Sequence, residues 1–169
     1  MKRFTWVLAA SAALLAPTAG GSSSNNDPSD SPFLPQIQGT WSSNACEGPY
    51  GGTYQRVGLV IVGMDVVVAV GSFLAADCSG SAVATTTGSG TLTIGSTVTA
   101  SLGAAAVTAY QYKVTASVGG STKSIYLLGY VDARTPRRLY MGDQGGANDG
   151  TTPALRPTTL DAAIWFTKQ

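Results

Sequence analysis

Histidine is absent from this 169-residue chain, and glutamate occurs once, as Glu47. The first absence removes the commonest general base and the commonest metal ligand together. The second leaves paired-carboxylate chemistry to scattered aspartates, which would have to meet within about 5–10 Å with no local motif to bring them there. Charge is scarce as well: 11% of residues are charged, and ten Lys+Arg against nine Asp+Glu leave +1. Such a balance has no electrostatic footprint for nucleic acid or for an anionic membrane surface. Gly-x-Ser-x-Gly, His-Glu-x-x-His and phosphate-loop motifs are all missing, and Gly88-Ser89-Gly90-Thr91 lacks the lysine and the strand–loop–helix setting. The expectation is a protein that is not an enzyme and uses no metal or cofactor.

No apolar run is long enough for a membrane-spanning helix, which needs about 20 residues. The longest candidate, Trp6 to Leu15, follows Lys2-Arg3 and precedes the small residues Ala16-Pro17-Thr18-Ala19-Gly20. That order reads as a cleavable export leader over residues 1–20. Removing its two cations takes the chain from +1 to −1. Residues 21–36, rich in Ser, Asn and Pro, read as a flexible linker, because they offer too little apolar surface to offset the entropy of ordering. Export to the periplasm or the exterior gives the two cysteines a plain reading as a disulfide between Cys46 and Cys78. A catalytic thiol would have no histidine to activate it.

What is present from Ile37 onward is β pattern. Thr108, Tyr110, Tyr112, Val114, Ala116 and Val118 alternate with smaller or polar residues, a period of two with one apolar face. Gly119-Gly120 then marks a turn into Lys123 to Val131, and Gly63-Met64 separates Gln55–Val62 from Asp65–Leu74 as a hairpin. These two strands are apolar on both faces, so either both are covered or one lines a cavity. Ser81–Thr87 and Thr91–Thr99, punctuated by glycines, read as a bent or bulged strand pair. Arg138–Gly142 and Ala162–Lys168 complete roughly eight strands, a number that closes into a small barrel. The fold class expected is all-β, a single antiparallel up-and-down barrel over residues 37–169, with a β-sandwich as the alternative.

Gly39-Thr40-Trp41, at the start of the first strand, resembles the Gly-x-Trp signature that opens lipocalin and avidin-like (calycin) barrels. The resemblance implies that Trp41 closes one barrel end, stacked on a basic side chain such as Lys168 or Arg56. A longer likeness runs from about Ile37 to the end. The chain is similar to small exported proteobacterial proteins, many of them lipoproteins, that open with Gly-Thr-Trp and a cysteine and finish in Leu-Tyr-x-Gly-Asp, an Asp-Gly loop and Arg-Pro-Thr-x-Leu-Asp. Here these are Trp41, Cys46, Cys78, Leu139 to Asp143, Asp149-Gly150 and Arg156 to Asp161. The acylated cysteine of a lipobox is missing after Ala19, so a lipid anchor is not expected. The likeness supplies no activity.

The long connection Gly142–Thr159 is the most distinctive stretch. Its aspartates invite a calcium reading, but the twelfth position from Asp143 is Ala154, where an EF-hand needs Glu. The stronger expectation is that Arg156 is pinned by Asp143 or Asp161 and that the loop covers the barrel end opposite Trp41. Arg134, Arg137 and Arg138 read as a solvated turn. The function expected is a monomeric, exported, non-enzymatic barrel that takes a small apolar or amphipathic ligand against Tyr110, Tyr112 and Val114, with Leu59–Val62 and Val66–Val70 as further walls. Biotin is disfavoured because only Trp41 and Trp165 remain after the leader. The alternative is an envelope interaction protein, such as a protease or lysozyme inhibitor or a scaffold, acting through loops and the N-terminal segment. An outer-membrane barrel is a third class, opposed by missing aromatic girdles and by the ending Thr167-Lys168-Gln169. The many Ala and Gly residues predict a narrow barrel filled by its own side chains.

Overall fold

The computed structural model describes residues 31–118, 121–145 and 147–169. The leader, residues 21–30 of the linker and the Gly119-Gly120 turn lie outside the described residues. A short helix α1 (Leu34–Ile37) precedes strands β1 (Gly39–Ser43), β2 (Glu47–Tyr50), β3 (Thr53–Val62), β4 (Asp65–Phe73), β5 (Ala84–Leu102), β6 (Ala105–Val118), β7 (Ser121–Asp132), β8 (Arg138–Gly142) and β9 (Thr159–Lys168). From β3 to β9 each strand pairs antiparallel with the next. β1 closes the ring, with Trp41 opposite Lys168 on one side and Leu59 on the other. The result is an eight-stranded up-and-down barrel; β2 is an extra strand that continues along the β3 edge, Glu47 opposite Gln55. The sandwich alternative is not adopted.

Period-two alternation decides what lies inside. Leu59 and Ile61 of β3, Tyr112 of β6, Leu127 of β7 and Phe166 of β9 are buried together in the interior cluster, with Tyr110, Val114 and Ile125 packed against it. The expected inward face of β6 is therefore the inward face observed. The doubly apolar β3 and β4 prove to be one-sided: Leu59, Ile61 and Val66 turn in, while Val60, Val62 and Val67 stay 39%, 67% and 39% exposed on the outer wall.

Two expectations need correction. The expected pair is a single 19-residue strand, β5 (Ala84–Leu102), in which Gly88 and Gly90 are paired with β4, while the expected bulge is present at Gly95 and Ser96. Between Ile94 and Thr97 it carries a bulge: three steps along β5 match two along β6, from Ile94 opposite Tyr112 to Thr97 opposite Tyr110. One extra residue reverses which face each side chain occupies. Leu92 and Ile94 point into the barrel, whereas Val98, Ala100 and Leu102 join Val107 and Ala109 on the opposite side. The β5–β6 arm beyond the bulge thus folds over the outer wall, covering Leu128, Tyr140 and Leu160, and its tip pairs parallel with β9 at Leu102–Leu160.

The second correction concerns the linker. Its last residues are folded, and the domain begins before residue 37: Phe33 is 1% exposed, Leu34 9% and Ile37 2%, all in the interior cluster. Pro35 sits in the first turn of α1, where its missing N–H is not needed. A polar, proline-rich composition hid Phe33 and Leu34, and Ile37, expected to open the β region, instead ends the helical turn that packs with them.

Candidate functional site

The two barrel ends are built differently. At the end where β1 begins, α1 forms a plug. Phe33 stacks on Tyr110 at 4.6 Å between ring centroids. Space for it comes from Gly129, where a Cβ would lie 2.8 Å from the Phe33 ring and 2.9 Å from Tyr112. Trp41 is fully buried beneath α1 and its indole Nε1 donates to the Ile37 carbonyl at 2.7 Å. Lys168 lies over the indole, its Nζ 5.7 Å from the ring centroid, so of the two expected partners Lys168 takes the place. Gly39 carries φ +111 and a Cβ there would meet the Lys168 stem at 3.2 Å, a physical reason for glycine two residues before this tryptophan. Gln38 ties the plug to the β3–β4 turn, accepting from Gly63 N at 2.6 Å and donating to the Gly63 carbonyl at 3.1 Å.

The opposite end keeps a cavity of about 150 Å³, so the expectation of a fully filled barrel is overturned. Phe33, Ile37, Tyr112 and Leu127 line its inner part, Val57, Val68, Val114 and Met141 its walls, and Ser43, Glu47, Gln55 and Asp161 its polar part. Glu47 and Asp161 are half-buried. Tyr112 and Val114, two of the three expected cavity residues, are on the wall; Tyr110 is instead engaged by Phe33. The disulfide Cys46–Cys78 is formed, and it joins the residue before Glu47 to the β4–β5 connection. Such a bond fits an oxidising, extracytoplasmic compartment. Among the described residues no helix is long and apolar enough to cross a membrane.

The Gly142–Thr159 connection does not cover the mouth and Arg156 makes no ion pair with Asp143 or Asp161. Asp143 accepts from Gly145 N at 2.8 Å, and Asp161 accepts from Ala163 N and Ile164 N at 2.8 and 3.1 Å, so each carboxylate caps its own turn. Arg156 lies over the outward-facing Tyr126 ring, 5.6 Å from its centroid, and desolvation there lowers its pKa. The loop runs down the outer wall, held by Tyr126 N donating to Gly150 O at 2.8 Å. Proximity in sequence suggested the pairing; local turn chemistry took the carboxylates first.

Of the cavity residues, Glu47 was not legible from sequence. It stands on a four-residue strand with no periodicity, placed only by pairing with Gln55 and by the adjacent disulfide. Tyr112 has a distinct property: burial pushes its phenol well above the ordinary value of 10. A raised folded-state pKa contributes stability that is complete below the unfolded value and is lost as pH rises through the folded one. Wild-type protein is therefore expected to lose stability above about pH 10, beyond what its exposed tyrosines explain. Tyr112→Phe should flatten that alkaline decline, as chemical denaturation at pH 8 and pH 11 would show.

The class that this fold defines is an eight-stranded, all-antiparallel closed barrel with one extra strand and almost no helix. Comparison with protein-family models, curated proteins and solved structures finds no match to the chain.

Proposed function

We propose that the protein is an exported, non-enzymatic, lipocalin- or avidin-like barrel that binds a small apolar or amphipathic molecule. One observation carries the reading: an apolar-walled cavity of about 150 Å³ that reaches polar residues at one end of a barrel plugged at the other. A dry apolar space near this size accepts a benzene-sized guest. The Gly39-Thr40-Trp41 opening and the Trp41–Lys168 stack support the barrel type. The apolar interior is the inverse of the polar lumen of a membrane-spanning barrel.

1-Hexanol is a suitable probe. Burying a six-carbon chain is worth about 5 kcal/mol, which corresponds to a Kd on the order of 10⁻⁴ M. Calorimetric titration should give saturable, one-to-one binding. Val68→Phe, which places a ring in the cavity, should abolish binding while leaving the thermal midpoint unchanged or raised. Equal binding by Val68→Phe would move the ligand site elsewhere.

A second reading, an envelope interaction protein, draws on the bare Val60, Val62 and Val67 of the outer wall. It expects Val62→Lys to lose a protein partner while hexanol binding is retained.

A further inference from the structure

We propose that the cavity selects a guest with a cationic outer end, a short primary-amine amphiphile; this rests on the ligand-binding reading above. Four observations converge. Among the described residues, the only ionisable carboxyl, amine or guanidinium side chains lining the cavity are those of Glu47 and Asp161, both acidic. Neither is committed to a cation: the Glu47 carboxylate has no hydrogen bond or ion pair among the described residues, and Asp161 uses only Oδ1, on Ala163 N and Ile164 N. Two cations on the strands that build the wall, Arg56 of β3 and Lys168 of β9, make contacts elsewhere. Arg56, beside the inward Gln55, donates from Nη2 to the Asp77 carbonyl at 2.8 Å, and Lys168 lies over Trp41 in the plugged end.

The fourth observation is inside the cavity. Tyr112 is on its wall and 7% exposed, and its hydroxyl has no hydrogen-bond partner among the described residues. A hydroxyl without a protein partner is free to pair with water or with a guest atom. The lining thus combines an apolar wall, a tyrosine without a protein hydrogen-bond partner and two acidic side chains.

The chemistry selects by sign. Carboxylates beside a low-dielectric wall act on a neighbouring charge more strongly than they would in bulk water, and a cleft lined by one sign focuses that field. An ammonium group held there keeps its hydration on the open side while its chain enters the barrel. A carboxylate head would face repulsion at the same point. The cavity volume limits the chain to about six carbons or one ring.

The test titrates the full-length mature protein with n-hexylamine, 1-hexanol and hexanoate at pH 7 and low ionic strength. Hexylamine is expected to bind about tenfold tighter than hexanol and hexanoate at least tenfold weaker. The amine advantage should shrink at high salt. Glu47→Gln should reduce it to a few-fold, and Glu47→Lys should reverse the order so that hexanoate exceeds hexylamine. Hexanol and hexylamine binding equally well would overturn the charge selection while leaving the cavity reading in place. Failure of all three to bind would overturn both.

Discussion

Replacing Trp41 with alanine is expected to lower the free energy of unfolding by about 3–5 kcal/mol, the range for large aromatic truncations in a core. Trp41 has no exposed surface and fixes three things at once: the Ile37 carbonyl through its indole N–H, the Lys168 stem on its face and the packing of α1 over the barrel end. Alanine leaves a cavity under the plug and a buried carbonyl without its donor, two costs that add. Trp41→Phe keeps most of the volume and loses the hydrogen bond, so it should cost less, about 1–2 kcal/mol. Urea unfolding followed by far-ultraviolet circular dichroism separates the variants, because Trp165 then does not confuse the signal. A loss below about 1 kcal/mol for Trp41→Ala would mean that the end is held by the strand ladder and not by this residue.

Breaking the Cys46–Cys78 bridge is expected to cost about 3–4 kcal/mol, from the unfolded-state entropy released by opening a loop of this length. The separation is 32 residues, and the cross-link joins the chain between β1 and β2 to the middle of the β4–β5 connection. Its effect should be uneven in space. Glu47 follows Cys46 directly, so the double variant Cys46→Ala, Cys78→Ala should weaken hexylamine binding through disorder near Glu47 while the plug around Trp41 remains protected from amide exchange. Protection lost equally at both ends would show that the bridge supports the whole barrel.

The parts of this fold legible in sequence were those written in short-range pattern. The alternation through Tyr110, Tyr112 and Val114 specified an inward face because a strand permits no other periodicity. Gly39-Thr40-Trp41 marked the plugged end, because the glycine must yield to the Lys168 stem. What escaped depended on contacts between distant segments. β5 reads as two pieces because its glycines look like breaks, yet the β4 and β6 ladders on either side hold it as one strand. Phe33 lies in a stretch whose composition is that of a linker, and only Gly129, about a hundred residues later, makes room for its ring. Arg156 was matched to Asp143 or Asp161 of the same region, whereas the fold offered it an aromatic face on β7. Glu47 carries no local signal at all; its place depends on a strand pairing and a disulfide.

The measurement that tests the hollow, one-ended barrel most directly is a methyl-resolved NMR titration with 1-hexanol. Met141, Val57, Val68, Val114 and Leu127 line the cavity, while Val60, Val62 and Val67 face outward from the strands β3 and β4 that also form its wall. The interior methyls should shift together along one saturable curve and the three outer valines should not move. Shifts confined to Val60, Val62 and Val67, or no saturable shift at any interior methyl, would contradict a barrel that holds a ligand.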